Sequence, residues 1–366
     1  MIDSSTIRQL AERTAPDRCF LSIYVNKGDI DWLQRRLETD GLVEGPTDIE
    51  SENLGPTLEM ARDWFEDNPI TSEGIALFAC WADDYLEAVE LEVPIERQVV
   101  VDSSPFVMPL AEIADEFETW CVALVDHDSA RIFEISGLEI DEVDRAAGNI
   151  KNHVKVGGWS QQRYERRREK EIANYCGEIV DRLDDLVGDG PCDKLFLAGN
   201  EHLIAELNRE LPPRLEKHVA GTESMAGDLA DHEVLDAMKP LIEKAERESE
   251  VSLLEEIQNQ RFRDGRAATG PEDTLEALRH GRVYQLLVDR EAEQPAIRCR
   301  DCEWLTIPNQ DDVLPDNCPV CKGDIFQVDL TNEMVELAHK TDAEVETADP
   351  MPQLDEWDGI AALLRY

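Results

Sequence analysis

Four cysteines stand at spacings that suit a metal ion: Cys299-x2-Cys302 and Cys318-x2-Cys321, fifteen residues apart, with Pro319 inside the second pair. Two such pairs match a tetrahedral structural zinc site with sulfurs about 2.3 Å from the ion, and a closed four-cysteine shell leaves no position open for catalysis. Binding would contribute folding free energy on the order of 10 kcal/mol to a small insert with little core of its own. Two disulfides are the alternative, and they conflict with a reducing cytosol. Structural Zn2+ held by Cys299, Cys302, Cys318 and Cys321 is therefore expected. Cys19, Cys80, Cys121, Cys176 and Cys192 stand singly, mostly in apolar contexts, and read as core residues.

A second stretch, Gly157-Gly158-Trp159-Ser160-Gln161-Gln162, reads as a loop. Its paired glycines let backbone approach a ligand closely. A neutral amide there can orient a water or a tetrahedral oxygen, and Trp159 can stack on a base or fill a core. The surrounding segment, residues 151–170, holds seven Lys/Arg against Glu165 and Glu169, a net of +5. Lys151, Lys155, Arg163, Arg166, Arg167, Arg168 and Lys170 suit a phosphate backbone. The competing reading is a solvated helical face with Glu–Arg pairs. No Ser-His-Asp arrangement, phosphate-binding P-loop or dinucleotide fingerprint is visible.

The basic segment stands out because the rest of the chain is acidic: 81 Asp and Glu against 36 Lys and Arg, a formal net charge of −45 over 366 residues. At about 1 M salt the Debye length falls to ~3 Å and such self-repulsion is screened. The composition predicts a halophile with a salty cytosol, of archaeal type; an acidic protein of an ordinary cell is the alternative. Apolar residues at 42% suffice for cores, and no run approaches the roughly 18 apolar residues of a membrane span. The first residues, MIDSSTIRQLAERTAP, carry no basic and apolar signal regions, so a cytoplasmic location is expected.

The length fits two or three domains. Residues 1–113 read as an α/β domain, with strands at 19–25, 74–80, 85–93 and 97–102 and helices at 7–13 and 57–66 after Gly-Pro turn signals. Residues 118–263 form a second unit. It opens with a hairpin over 120–136 around Asp126-His127-Asp128, and a helix is N-capped by Ser160. Tyr164, Ile172, Tyr175, Ile179, Leu183 and Leu186 form the helix's apolar stripe, interrupted by Arg168, so its first turns should project beyond the core. Arg163, Arg166, Arg167 and Lys170 share another face. A strand at 194–200, a helix at 201–210, a strand at 215–221 and a long helix over 231–263 complete a mixed-sheet unit. Residues 264–366 hold a helix at 272–280, a strand at 283–289, the cysteine insert at 298–323, a strand at 324–329 and a helix at 332–341.

The run from Gly157 to Arg166 resembles the stretch of archaeal and eukaryotic peptide chain release factors in which Gly-Gly-Gln is followed by Ser, a small residue, Arg, an aromatic and further basic residues. The ending Asp358-Gly359-Ile360-Ala361-Ala362-Leu363-Leu364-Arg365-Tyr366 resembles the Gly-Gly-Ile-Ala-Ala-Ile-Leu-Arg-Tyr of archaeal members, and residues 336–346 resemble the segment before it. The likeness covers about 118–366. It is nearest to the bacterial and archaeal release-factor-like group, whose relatives include Pelota and Balon-type ribosome factors. It implies a multidomain α/β fold: a ribonuclease-H-like middle domain and a C-terminal α/β sandwich, similar to kink-turn-binding ribosomal proteins, with an inserted zinc ribbon.

The resemblance also implies the ribosome as partner, through rRNA and peptidyl-tRNA, together with a translational GTPase and the recycling ATPase; no membrane is implied, and a monomer is expected off the ribosome. Two departures bear on activity. Trp159 occupies the family's glutamine place, so that Gln161, with Gln162 as a second candidate, must supply the amide beside Gly157 and Gly158. Residues 1–113 lack the stop-codon element Asn-Ile-Lys-Ser; Asn149-Ile150-Lys151 lies in the wrong domain and is followed by Asn152. Codon-independent peptidyl-tRNA hydrolysis, as ribosome rescue, is the first reading. A non-hydrolytic hibernation or occupancy factor is the second. A nuclease role would need clustered metal-binding carboxylates, which an excess of acids makes unidentifiable.

Overall fold

The computed structural model describes residues 4–15, 18–38, 42–43, 48–116, 118–137, 139–147, 159–187, 192–263, 265–292, 294–302, 304–308 and 315–366. It is a multidomain α/β protein with two compact units, residues 116–251 and residues 1–115 joined with 252–366. No helix of the described residues is long and apolar enough to cross a membrane.

The N-terminal segment carries α1 (Ser4–Ala11), β1 (Phe20–Asn26), α2 (Ile30–Leu37), α3 (Asp48–Asp67), β2 (Gly74–Cys80), β3 (Tyr85–Leu91), β4 (Gln98–Asp102) and α4 (Met108–Glu116). Its strands form one antiparallel sheet in the order β3-β2-β1-β4. Side chains alternate across a pleated strand. Leu21, Ile23, Ile75 and Leu77 accordingly meet Leu33 and Leu37 of α2 and Ala61 of α3 on one face, while Phe20, Tyr24, Ala76 and Phe78 line the other. The turn expected at Gly55-Pro56 is instead part of α3, which runs through Pro56. Burial of Glu50, Thr57 and Ala61 along one side of that helix outweighs the proline's missing donor.

The middle unit carries β5 (Trp120–Val125), β6 (Ser129–Ser136), β7 (Glu139–Ala147), α5 (Trp159–Asp184), β8 (Lys194–Gly199), α6 (Glu201–Glu210), α7 (Pro213–Glu216), β9 (Val219–Ser224) and the start of α8 (Asp231–Arg263). The sheet order is β7-β6-β5-β8-β9, with β5, β6 and β7 antiparallel and β5, β8 and β9 parallel. Cys121, Ala123 and Val125 face α5 and α6, whereas Trp120, Val122 and Leu124 face Val234 and Met238 of α8. Both faces are covered, as a sheet with parallel strands requires. The strand expected over 215–221 begins only at Val219, because Pro212 and Pro213 start a short helix there. The first turn of α5 includes Trp159, so Ser160 lies inside the helix and is not its N-cap.

The C-terminal segment carries β10 (Ala267–Thr269), α9 (Pro271–Arg279), β11 (Val283–Asp289), β12 (Pro295–Cys299), β13 (Leu305–Thr306), β14 (Ile325–Asp329), α10 (Leu330–Lys340), β15 (Glu344–Ala348), α11 (Pro352–Asp355) and β16 (Ile360–Leu364). One sheet has the order β10-β16-β11-β15 and a second, smaller one β13-β12-β14. Leu287, Ala361 and Leu363 pack on Leu253, Leu254 and Ile257 of α8. The opposite face, with Val283, Leu286, Val288 and Ile360, shares a continuous core with Phe20, Tyr24 and Phe78 of the N-terminal segment.

Three segments read separately in sequence thus each have a sheet, and the first and third are joined by apolar burial. Polar contacts reinforce the joint. Asn332 Oδ1 accepts from the Val107 and Met108 amides at 2.8 and 3.1 Å. Ser104 Oγ donates to Glu336 Oε1 at 2.7 Å, and Thr347 donates to Asp115 Oδ2 through its amide and hydroxyl at 2.8 and 2.6 Å. Burial, with the Glu333 charge beside it, pushes the Glu336 carboxyl up to about 8.

Candidate functional site

Two places bring together the residues singled out by sequence. The first is the cysteine ribbon. Antiparallel pairing of β12 with β13 and β14 sets its two turns side by side. Cys299 ends β12 and Cys302 lies in the turn after it, while Cys318 and Cys321 occupy the turn before β14. The four sulfurs all lie within 4.8 Å of one another, with Cys299 to Cys321 at 3.4 Å and Cys302 to Cys318 at 3.5 Å. Sulfurs 2.3 Å from a tetrahedral ion stand about 3.8 Å apart, so the set is close to that geometry.

Backbone shapes the cradle. The Asp301 amide donates to Cys299 Sγ at 3.3 Å and the Gly323 amide to Cys321 Sγ at 3.4 Å. Lys322 adopts a left-handed φ of 69°, its amide donating to Cys318 O at 3.0 Å, and the Cys318 amide donates back to Gly323 O at 2.8 Å. A Cβ on Gly323 would stand 1.9 Å from Asp301 Oδ2, so the two turns fit only with glycine there unless that side chain moves. Burial opposes ionisation of Cys318, but the Cys321 and Val320 amides and the thiols of Cys302 and Cys299 hold it down at about 6. At Cys302 the Trp304 amide favours the thiolate, yet desolvation and the thiols of Cys321, Cys318 and Cys299 push it up to about 12. Cys302 and Cys318 therefore do not ionise together at neutral pH without a cation, and a divalent metal bound there would displace a thiol proton. The residues present therefore fit a metal ion.

The other five cysteines are less isolated than their spacing suggests. Cys19 Sγ and Cys80 Sγ lie 3.6 Å apart, and the Cys121 thiol, raised well above its ordinary value, is hydrogen bonded with Cys192 and buried. All five are buried.

The second place is the start of α5. Ile172, Tyr175, Cys176, Ile179 and Leu183 bury one side of this helix on the sheet, and Tyr175 Oη donates to Asp126 O at 3.1 Å. Among the described side chains the buried stripe begins at Ile172, and the 13 residues of helix before it span about 20 Å at 1.5 Å per residue. Arg166, Arg167 and Lys170 are exposed and Arg168 is half-buried. Arg167 Nε donates to Glu171 Oε1 at 2.9 Å with the arginine 74% exposed, a pair that screens little of its charge. Lys151, Lys155, Gly157 and Gly158 lie outside the described residues. The backbone of Gln161, Gln162 and Arg163 is helical, as a helix capped at Ser160 requires, and the helix also takes in Trp159, which was read as loop.

Sequence reasoning missed a set of charged side chains taken out of water. Glu50, Arg298, Glu333 and Glu336 are all less than a tenth exposed, and Arg298 Nη1 stands 2.7 Å from Glu333 Oε1. Nothing distinguished these acids from the many others in the chain.

Comparison with known proteins gives the class first. The chain is 24% identical over 308 residues to peptide chain release factor subunit 1 of Methanocaldococcus jannaschii, covering 76% of this chain and 73% of that protein. It is 22% identical over 345 residues to the same factor of Thermococcus kodakarensis, covering 85% and 80%. Residues 105–243 match the family model described as bacterial archaeo-eukaryotic release factor family 10. The chain fits a release-factor-like group of proteins. Among solved structures, S. cerevisiae Dom34, a translation termination-like factor that interacts with Hbs1, aligns over 100% of this chain and 91% of its own at 10% identity and a TM-score of 0.46. A model of ribosome-bound archaeal Pelota with ABCE1 aligns over 77% and 72%, at 15% identity and a TM-score of 0.40.

Proposed function

We propose that this protein binds the ribosome at the A site and reaches the peptidyl-transferase centre with the start of α5. The observation that carries this reading is the exposed basic face of Arg166, Arg167 and Lys170 directly after Gly157 and Gly158, in a chain with a net charge of −45. Bases kept where acids are otherwise favoured suit a polyanion, and rRNA or peptidyl-tRNA phosphates supply one. The family-model match over residues 105–243 supports the same reading. The sheet order β7-β6-β5-β8-β9 supports a ribonuclease-H-like middle domain. Sheet β10-β16-β11-β15, with helices on both faces, supports a C-terminal α/β sandwich. The proposed domains are 1–113, 118–263 and 264–366. Zinc is proposed for the ribbon because, among the described residues, the metal-ligating groups that converge there are four sulfurs. A translational GTPase and the recycling ATPase are proposed partners, in a cytoplasm of high salt, and recognition is proposed to be independent of the codon.

At the centre, Gly157 and Gly158 would allow close backbone approach, and Gln161 or Gln162 would place a water for attack on the peptidyl-tRNA ester, an effect worth several kcal/mol by analogy with oxyanion donors. The helical backbone over 159–162 favours a second reading. Positions two apart in a helical backbone lie about 200° apart around its axis, so position 161 does not take the place of position 159. A factor that fills the site without cleaving the ester, as in hibernation, needs no such amide. Peptide release from high-salt ribosomes carrying labelled peptidyl-tRNA separates the two. Release by the wild type that is lost in Gln161→Ala and Gly158→Ala supports rescue hydrolysis. Tight binding with no release from any variant leaves occupancy.

A further inference from the structure

The cysteine ribbon makes contacts that neither metal binding nor ribosome binding requires. Arg300 lies between two of the cysteines, and its Nη2 stands 3.3 Å from Glu50 Oε1 on α3 of the N-terminal segment. Arg18 reaches the same carboxylate, Nε to Oε1 at 2.9 Å, Nη2 to Oε2 at 3.1 Å and its amide to Oε1 at 3.3 Å. The Glu50 side chain is 1% exposed and those of Arg18 and Arg300 17% and 12%. A carboxylate is thus withdrawn from water between two guanidinium groups, one from each segment. The ribbon also supplies Leu305, Phe326 and Val328 to the core that holds Cys19, Phe20, Cys80 and Tyr85, and the Arg18 guanidinium lies 5.8 Å from the Phe326 ring centroid.

Arg300 is held by the two turns that carry the cysteines. Its amide donates to Asp324 O at 3.0 Å and its Nη1 to Asp324 Oδ2 at 3.4 Å, across from the turn ending at Cys321. Pairing of β12 with β14 and the Arg300–Asp324 backbone bond set the two turns side by side, and a metal ion shared by the four sulfurs would tie their tips together. When the turns separate, Arg300 leaves Glu50, and a buried carboxylate stripped of one of its two cationic partners must rehydrate, which opens the joint around it.

We propose that the cysteine ribbon is a metal-dependent latch, which holds the N-terminal segment docked on the C-terminal segment through Arg18, Glu50 and Arg300. The inference rests on the metal reading given above and assigns it a consequence: occupancy of the ribbon sets whether α3 and the N-terminal sheet are held against β12–β14. The apolar core keeps the segments associated when the latch is open, so the effect is a local loosening and not a separation of the chain.

Amide hydrogen exchange of the full-length protein, loaded with Zn2+ and then stripped by a chelator, reads this directly, with bound metal counted by elemental analysis. Metal removal is expected to raise exchange in residues 18–26 and 48–67 by about tenfold or more and to leave residues 116–251 unchanged. Glu50→Gln, whose cysteines are intact, is expected to show the same local rise at full metal content. Stoichiometric metal whose removal leaves exchange over 48–67 unchanged overturns the latch alone, as does a Glu50→Gln protein that exchanges like wild type. A protein that takes up no metal overturns both the metal reading and the latch.

Discussion

In the ribbon, four sulfurs face one another within 4.8 Å and the turns around them are closed by backbone hydrogen bonds. Near the start of α5, Arg166, Arg167 and Lys170 face solvent, and among the described side chains the buried stripe of that helix begins at Ile172. The ribbon's four sulfurs converge on one another, and the effects proposed for them are confined to the chain that contains them. The exposed charges of Arg166, Arg167 and Lys170 add little to the packing of the middle unit, and their proposed use is against another molecule. A structural centre is therefore recognised by convergence of its own groups, whereas a recognition surface is recognised by charge that its own fold leaves unused.

That contrast can be broken at several points. Stripping the metal, or replacing Cys318 by Ser, is expected to cost the unit formed by 1–115 and 252–366 about 4 kcal/mol, the linkage effect of metal held at about a thousandfold its dissociation constant, and to leave melting of the middle unit unchanged, as followed by calorimetry. Equal losses in both units would mean that the ribbon is not confined in its effect. Within α5 itself, Ile179→Ala empties a fully buried position and should destabilise the middle unit by about 2–5 kcal/mol in denaturant titration. Reversal of the exposed charges, Arg166→Glu with Arg167→Glu and Lys170→Glu, should leave that stability within about 0.5 kcal/mol. The same triple variant should weaken ribosome binding about 100-fold, near 2.7 kcal/mol, and make the log–log salt dependence shallower by about three.

A further effect, spread over several pH units, concerns the buried acid of the joint. Glu336 has its folded value raised to about 8 from an ordinary 4.5. The folded state therefore holds a proton that the unfolded state has lost, and the protonated carboxyl's contribution falls as pH rises from about 4.5 through about 8. Each pH unit in that window costs up to about 1.4 kcal/mol per proton. Glu336→Gln, a neutral mimic of the protonated form, should flatten the decline of melting temperature between pH 6 and about 9. An unchanged pH profile would remove Glu336 from the account.

Much of the scaffold was legible because its signals were local. The limits of α8 follow from a long charged periodic stretch bounded by Gly and Pro, the β5–β6 hairpin from two apolar runs about Asp126-His127-Asp128, and the ribbon from cysteine spacing. What was not legible depended on distant partners. Strand β7 is mostly polar and lies at the sheet edge, so its pairing with β6 has no apolar run to announce it. Helix α2 is short, and its burial of Leu33 and Leu37 is apparent only against β1. Glu50, Glu333 and Glu336 look like any of 81 acids until the two segments meet around them. At the candidate site, spacing marked the basic residues, but whether Gln161 sat in a loop or on a helix turned on where α5 begins.

The central claim is tested most directly by competition on the ribosome. Purified high-salt ribosomes are titrated with the labelled protein, with the A site either empty or filled by tRNA. The account predicts binding to the empty site that A-site tRNA displaces and that the Arg166, Arg167 and Lys170 reversals together weaken about 100-fold. Binding indifferent to A-site tRNA, or equally tight in the charge-reversed variant, would contradict it.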